Sequence, residues 1–171
     1  CHMPDGTHHV GSPMDNMGET CLNCHADEKI LRDNVARKLE RKEELMQTAM
    51  NNLGKDHLEA GKAWEVGATE EEMAGILQDI RHGQWRWDYS IAAHGSFFHA
   101  PEETLRVLGS AINKGQDARI KLRVVLAKYG AAEYEAPDFS TKEKAQAVVD
   151  LPYDKLVDEK KAFLDGLKQE W

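Results

Sequence analysis

The sequence is short of apolar mass. Of its 171 residues, 41% are hydrophobic and only 7% aromatic, while 30% are charged; ordinary soluble domains carry about 45–50% apolar and about 25% charged residues. A core can form, but it is lean for the length, so something else supplies apolar mass or part of the surface is buried against a partner. No stretch approaches the ~20 apolar residues that a membrane-spanning helix needs. Positive charge is in deficit too: 22 Lys and Arg against 30 Asp and Glu give a net charge of -8, which argues against nucleic acid as a partner. No period-two strand pattern or hairpin signal is found. An initiator methionine is missing as well. The chain opens on Cys1-His2-Met3-Pro4, so it reads as a piece of a longer polypeptide, and the lack of a leader-like segment says nothing about compartment.

Cysteine is scarce but patterned. There are three, Cys1, Cys21 and Cys24, and the last two lie in Cys21-Leu22-Asn23-Cys24-His25. This is C-x-x-C-H, the attachment pattern of c-type haem. Two thiols add across the two vinyl groups of the porphyrin, and the adjacent histidine sits under the iron as proximal ligand. A bare C-x-x-C also suits a redox dithiol or half a zinc site. A thioredoxin-like dithiol needs an α/β context that is not visible. Zinc needs four ligands, and Cys21, Cys24 and two of His2, His8 and His9 could supply them by count. Cys1-His2 is what remains when C-x-x-C-H is cut before its third residue; under that reading all three cysteines become thioethers. The bland alternative is an accidental terminal Cys-His.

Histidine is plentiful, with eight in the chain. His2 and His25 stand in the proximal positions. Electron-transfer haems of low spin take a second axial ligand, often histidine, and His8, His9, His94 and His99 are the candidates. His8 and His9 lie in a Gly- and Pro-containing loop. His99 precedes a helix start, and His94 suits a pocket wall. His57 and His82 fall within charged helical stretches and read as surface residues.

The remaining pattern is helical. Leu31, Val35 and Leu39, then Leu45, Met46, Ala49, Met50 and Leu53, form a stripe within a helix over 27–66, ~55–60 Å long, which Gly54 and Gly61 weaken or kink. Gly67 stops it. Thr69 and Glu72 form a capping box for a second helix to about Ala93, carrying Trp85-Arg86-Trp87. Pro101, Glu102 and Glu103 open a third helix, lined by Leu105, Leu108, Ala111 and Ile112 and stopped by Gly130. Ser140 and Glu143 suggest another capping box opening a short helix to about Val149, and a last helix follows Pro152 towards Trp171. The expected fold class is all-α, with residues 1–26 as a haem-attachment loop region and 27–171 as a long-helix region, both part of one larger unit. Long charged helices with narrow apolar stripes suit a solvated bundle or packing against a second subunit.

These residues resemble a known family. Cys1-His2-Met3-Pro4, Gly11-Ser12-Pro13, Thr20 to His25, Gly67-Ala68-Thr69-Glu70, Asp79 to Asp88 with its tryptophan box, Phe98-His99-Ala100-Pro101-Glu102-Glu103, Leu108-Gly109 and Ser140 to Gln146 are similar to the C-terminal half of ammonia-forming cytochrome c nitrite reductase, a pentahaem periplasmic enzyme. The likeness covers nearly the whole chain, and the tryptophan and His-Ala-Pro-Glu-Glu boxes are more specific than C-x-x-C-H.

The resemblance implies the following roles. Cys1 and His2 correspond to the second thioether and proximal ligand of the fourth haem. Cys21, Cys24 and His25 correspond to the fifth haem's attachment site. His99 matches the distal ligand of the fourth haem and His8 that of the second, with His9 in reserve because the loop from Pro4 to His8 is short for the family. It further implies several covalently attached haem c groups acting as wires, and a periplasmic location. It implies a homodimer through helices 27–66 and 101–129, a soluble or membrane-associated cytochrome as electron donor, and nitrite as substrate. The lysine-ligated catalytic haem, the active-site residues and the family's calcium ligands all precede Cys1, so no catalytic residue is expected here. A related octahaem nitrite- or hydroxylamine-converting enzyme, a multihaem electron-transfer cytochrome without substrate, and a zinc-bound helical module remain as alternatives.

Overall fold

Asp27 ends the N-terminal loop by capping a helix: its carboxylate accepts a hydrogen bond from the Ile30 N–H at 3.0 Å, satisfying one orphan donor of the first turn. That helix, α1, runs Glu28–Glu65. In the computed structural model, which describes residues 1–4 and 6–169, it is followed by α2 (Glu70–Ala92), α3 (Ser96–His99), α4 (Pro101–Lys128), α5 (Lys142–Val148) and α6 (Tyr153–Gln169). The described residues contain helices and no strand, so the fold is all-α. The predicted run of the last helix to Trp171 lies outside the described residues.

The start of α2 is built as its sequence suggests. Thr69 accepts from the Glu72 N–H, and the Glu72 carboxylate accepts from the Thr69 N–H at 2.9 Å. Glu72 also takes the Lys128 ammonium and the Tyr129 hydroxyl from the end of α4. Lys128 above all, with the Thr69 and Tyr129 hydrogen bonds, holds its carboxyl at about 2. Gly67 (φ +96°) and Gly130 (φ +75°) stop α1 and α4 in the left-handed conformation that glycine adopts without strain.

α4 packs against both α1 and α2. The buried positions alternate three and four apart on each helix: Ala49, Leu53, Asp56, Ala60 and Ala63 on α1; Met73, Ile76, Ile80 and Gly83 on α2; Thr104, Leu108, Ala111, Gly115, Ala118, Leu122 and Val125 on α4. This is the seam of a left-handed helical bundle. Many of its members are alanine or glycine, so the helices approach closely with little apolar volume, which matches the lean composition. α1 and α4 run in one direction and α2 in the other. The C-terminal end of α2 therefore meets the N-terminal parts of α1 and α4, and α3 sits there against both.

Three expectations change. The stripe Leu31, Val35, Leu39 is not core: Leu31 and Val35 are half-buried and Leu39 is exposed, because the bundle closes only from Lys42 onwards. Gly54 does not break α1. A Cβ there would lie 2.6 Å from ring atoms of Phe139, so the missing side chain seats the linker after α4. The cap of α5 is Thr141, which accepts from the Lys144 N–H at 3.3 Å, not Ser140. Ser140 instead donates its N–H to Asp138 at 2.8 Å.

Gly83 marks the tightest crossing. A Cβ there would lie 2.9 Å from Leu53 Cδ2 and 3.3 Å from the Ala111 carbonyl oxygen. Gly83→Ala is expected to destabilise the haem-loaded protein by about 1–3 kcal/mol through overpacking, outweighing the ~1 kcal/mol that alanine gains in helix propensity. Denaturant unfolding checks this, and a stabilised variant would contradict the close crossing.

Charges are buried in the bundle as well. Asp79 is pushed up by burial, but the Lys114 and Lys121 ammonium groups at 2.8 and 2.5 Å outweigh this and leave it lowered. Glu59 is fully buried and meets Arg123 at 2.9 Å and Arg119 at 3.4 Å. Asp56, one turn before it, is fully buried with neither carboxylate oxygen hydrogen-bonded.

Candidate haem-attachment site

The residues before α1 are organised around Met17, which is 4% exposed. Its carbonyl accepts from the N–H groups of Cys21 and Leu22, both at 2.9 Å. The Cys21 carbonyl in turn accepts from Cys24 N–H at 3.2 Å and His25 N–H at 3.1 Å. Cys21, Cys24 and His25 thus lie on one tight turn. Thr20 donates to Cys21 Sγ at 3.5 Å, and Asn23 clips the turn to the Glu19 carbonyl at 2.9 Å. Arg32 on α1 holds the loop through the Met14 carbonyl at 3.0 Å. Cys1, Cys21 and Cys24 are all free thiols, with Cys1 and Cys24 exposed and Cys21 half-buried. No disulfide competes for them.

A second feature joins the two ends of the site. His2 and His99, 97 positions apart, have ring centroids 6.0 Å apart with planes at 46°. His2 Nδ1 lies 3.0 Å from the Gly11 carbonyl oxygen. A carbonyl only accepts, so Nδ1 carries the proton and Nε2 keeps its lone pair free for a metal. His99 is placed by α3: its N–H donates to the Gly95 carbonyl at 3.0 Å, and Ala100 N–H donates to Ser96 at 2.9 Å. A Cβ on Gly95 would lie 3.1 Å from His99 Cδ2, so the glycine leaves the ring its room. Phe98 packs edge-on against it, centroids 5.4 Å apart.

This spacing suits a metal between the rings. A metal–imidazole bond is about 2 Å, and a ring nitrogen lies about 1 Å from its ring centre, so a ring-centre separation of 6.0 Å would leave room for one ion between His2 and His99. The donor set fits c-type haem: free thiols followed by histidine, and a histidine pair in which the tautomer of His2 is fixed by a backbone carbonyl.

The other candidates share the exposure of His2 and His99 but not their pairing: His8, His9, His25 and His94 are exposed, and among the described residues no second pair of histidine rings is in contact. His57 and His82 are exposed on α1 and α2. The zinc alternative needs Cys21, Cys24 and two histidines gathered on one point. Among the described residues no three or more Cys, His, Asp or Glu side chains are so gathered.

The sequence reading missed a basic cavity beside His99. Arg37, Lys38, Arg41 and Lys42 of α1 line it together with Phe97 and the first turn of α4. The signal was there in the spacing, since cations at 37, 38, 41 and 42 share one helix face.

Comparison with known proteins decides the family. The family described as cytochrome c552 matches the chain over residues 1–171. The chain belongs to the cytochrome c552 family. Proteins named cytochrome c-552 from Desulfotalea psychrophila, Aliarcobacter butzleri and Maridesulfovibrio salexigens are 58%, 53% and 52% identical to it. Each similarity covers the whole of this chain but 35%, 36% and 36% of the relative, so the chain spans about a third of their length. Membership makes haem c the prosthetic group and electron transport the role of the class.

Proposed function

We propose that this segment is the electron-relay and dimerisation portion of a periplasmic multihaem reductase that converts nitrite to ammonium. The observation that carries the reading is the His2–His99 pair, 6.0 Å between ring centres, with His2 Nδ1 donating to Gly11. When bound, haem c supplies a one-electron ferric–ferrous couple. The chain's own residues then have definite tasks. Cys21 and Cys24 give two thioethers and Cys1 gives one of another pair. His25 and His2 are proximal ligands, and His99 is the distal partner of His2. His8 faces no histidine of this segment and is assigned to a haem attached upstream. An iron held by two histidines has no position open to substrate, so the reaction NO₂⁻ + 6 e⁻ + 8 H⁺ → NH₄⁺ + 2 H₂O belongs to residues before Cys1, as do the calcium ligands.

Outward apolar side chains support a partner surface. Ile30 and Leu39 on α1 are 58% and 37% exposed, and Ile120 and Val124 on α4 are 67% and 68% exposed. We assign these faces to a homodimer. Among the described residues no helix is long and apolar enough to cross a membrane, and a soluble or membrane-associated cytochrome is the proposed electron donor.

The full-length, haem-loaded protein given a reduced viologen dye is expected to consume nitrite and release ammonium in equal amounts, and to sediment as a dimer at micromolar concentration. Conversion of hydroxylamine without nitrite would favour the octahaem alternative. Absence of any nitrite-dependent dye oxidation would reduce the role to electron transfer alone, and a monomer would reject the assigned faces.

A further inference from the structure

The cavity beside His99 has a volume of about 290 Å³. Its α1 wall carries Arg37, Lys38, Arg41 and Lys42, and its far wall carries Phe97, Pro101 and Thr104. Among the described residues one of the four cations is paired with a carboxylate: Arg41 meets Glu44 at 2.8 Å. Arg37 is hydrogen-bonded to the Asn34 amide oxygen. Lys38 and Lys42 meet no carboxylate among the described residues. Lys42 is 5% exposed, and its ammonium reaches only the Ala93 carbonyl, at 3.4 Å. Burial pulls its pKa down, with Glu43 opposing in part. A surface lysine would extend its ammonium into water; this one is buried with no carboxylate in contact and only the Glu43 charge nearby, which is costly unless an anion joins it.

The helix facing these cations adds to the same field. α4 has 28 residues, and its N-cap is Ala100, which offers no side-chain acceptor. Its N-terminal dipole favours negative charge, which Glu102 and Glu103 of its own first turn supply in part. The cavity also adjoins the histidine pair. Lys38 Nζ lies 5.3 Å from the Phe98 ring centre, and that ring lies 5.4 Å from His99. Lys42 Nζ lies 6.0 Å from the Phe97 ring centre.

We propose that this cavity is a carboxylate seat, occupied by the propionate groups of the haem whose iron lies between His2 and His99. Lys42 and Lys38 are its main cations, and Pro101 and Thr104 at the start of α4 form its far wall. The proposal rests on the histidine-pair reading above. The chemistry is that of a small oxyanion, and a free anion is the other source. Cations beside propionates favour the reduced haem electrostatically, so removing one stabilises the oxidised form.

The test uses the full-length, haem-loaded protein and the low-spin resonance that disappears in His99→Ala. Potentiometric titration of that resonance is run on wild type, Lys42→Met and Lys38→Met. Both variants are expected to keep the haem count and the low-spin signal. At the wild-type midpoint the reduced-to-oxidised ratio is expected to fall at least threefold, about 28 mV at 59 mV per tenfold for one electron. Lys38 is exposed, so Lys38→Met is expected to fold and carries the test if Lys42→Met does not. Inorganic phosphate distinguishes the sources. A wild-type midpoint unmoved by phosphate supports the propionates. A phosphate-dependent midpoint that Lys42→Met abolishes keeps the seat but assigns it to a free anion, overturning the propionate assignment. Midpoints unchanged in both variants and insensitive to phosphate overturn the seat altogether. Should His99→Ala remove no low-spin signal, the histidine-pair reading fails separately and the propionate assignment with it. Calorimetry with phosphate on wild type and Lys42→Met then decides the seat: heat lost in the variant supports it, and no heat in either overturns it.

Discussion

Replacing both Cys21 and Cys24 by serine in the full-length protein is expected to remove one covalently bound haem per chain. A hydroxyl does not add to the vinyl group as a thiolate does, while serine fits the same turn. The Met17 carbonyl still accepts from residues 21 and 22, and the carbonyl of residue 21 still accepts from 24 and 25. The loss is therefore one of attachment and not of local backbone. Cys24→Ser alone leaves one thioether and a haem count equal to wild type, with a shifted reduced absorption band. A pyridine haemochrome assay against protein concentration, with the intact mass, reads both outcomes. An unchanged haem count in the double variant would remove Cys21 and Cys24 from the attachment chemistry. Zinc released in place of haem would return the pair to the metal-cage reading.

Asp56→Asn is expected to raise stability at pH 8 and to leave it nearly unchanged near pH 4. Burial first, and the neighbouring Glu59 second, push the Asp56 carboxyl from 3.8 up to about 7, with Arg119 opposing. The folded chain therefore holds its proton at pH values where the unfolded chain has released it. More protons on the folded state means that stability falls as pH rises from about 3.8 through about 7 and is flat above that. A shift of about three units at ~1.4 kcal/mol each is on the order of 4 kcal/mol. Asparagine cannot ionise, so this slope disappears in the variant, although its amide hydrogens find no more partners than the acid did. The groups facing Asp56 are Glu59 on its own helix and Arg119 on α4, beside the bare Gly115 backbone. Thermal unfolding of the haem-loaded proteins between pH 5 and 8 measures the difference. Parallel curves for wild type and variant would show that Asp56 is not the titrating group.

Much of this fold is written locally in the chain. Asp27, Thr69 with Glu72, Pro101, Gly67 and Gly130 are short-range signals, and they place the ends of α1, α2 and α4 within a residue or two. Residues 96–99 give no such signal, because a four-residue helix needs neither a periodic stripe nor a cap. The Leu31–Leu39 stripe had the right period but no partner helix to bury it. Periodicity reports a face, and only tertiary packing says what covers it. The buried Lys42, Asp56 and Glu59 look like solvated helix charges in sequence, since a charge on a helix rich in Lys, Arg and Glu carries no local mark of burial.

The site was legible in two different ways. C-x-x-C-H is a local motif whose spacing follows from thioether chemistry, so Cys21, Cys24 and His25 are proposed from five residues, and the backbone places them on one turn. The meeting of His2 with His99 has no local signature. Nothing in the spacing of positions 2 and 99 links them, and only the family resemblance pointed to the pair before the backbone placed them 6.0 Å apart. The basic cavity was visible as a charge run, yet a charge run is ordinarily a solvated face. What distinguishes it is the burial of Lys42.

The most direct test of the histidine pair is the spin state of the irons in full-length His99→Ala. Low-temperature electron paramagnetic resonance of the oxidised protein, read beside the haem count, is expected to show every haem still attached. One bis-histidine low-spin centre should be converted to a high-spin or weakly ligated form. If all low-spin signals survive unaltered, His99 is not an axial ligand, and the pairing of His2 with His99 on one iron is wrong.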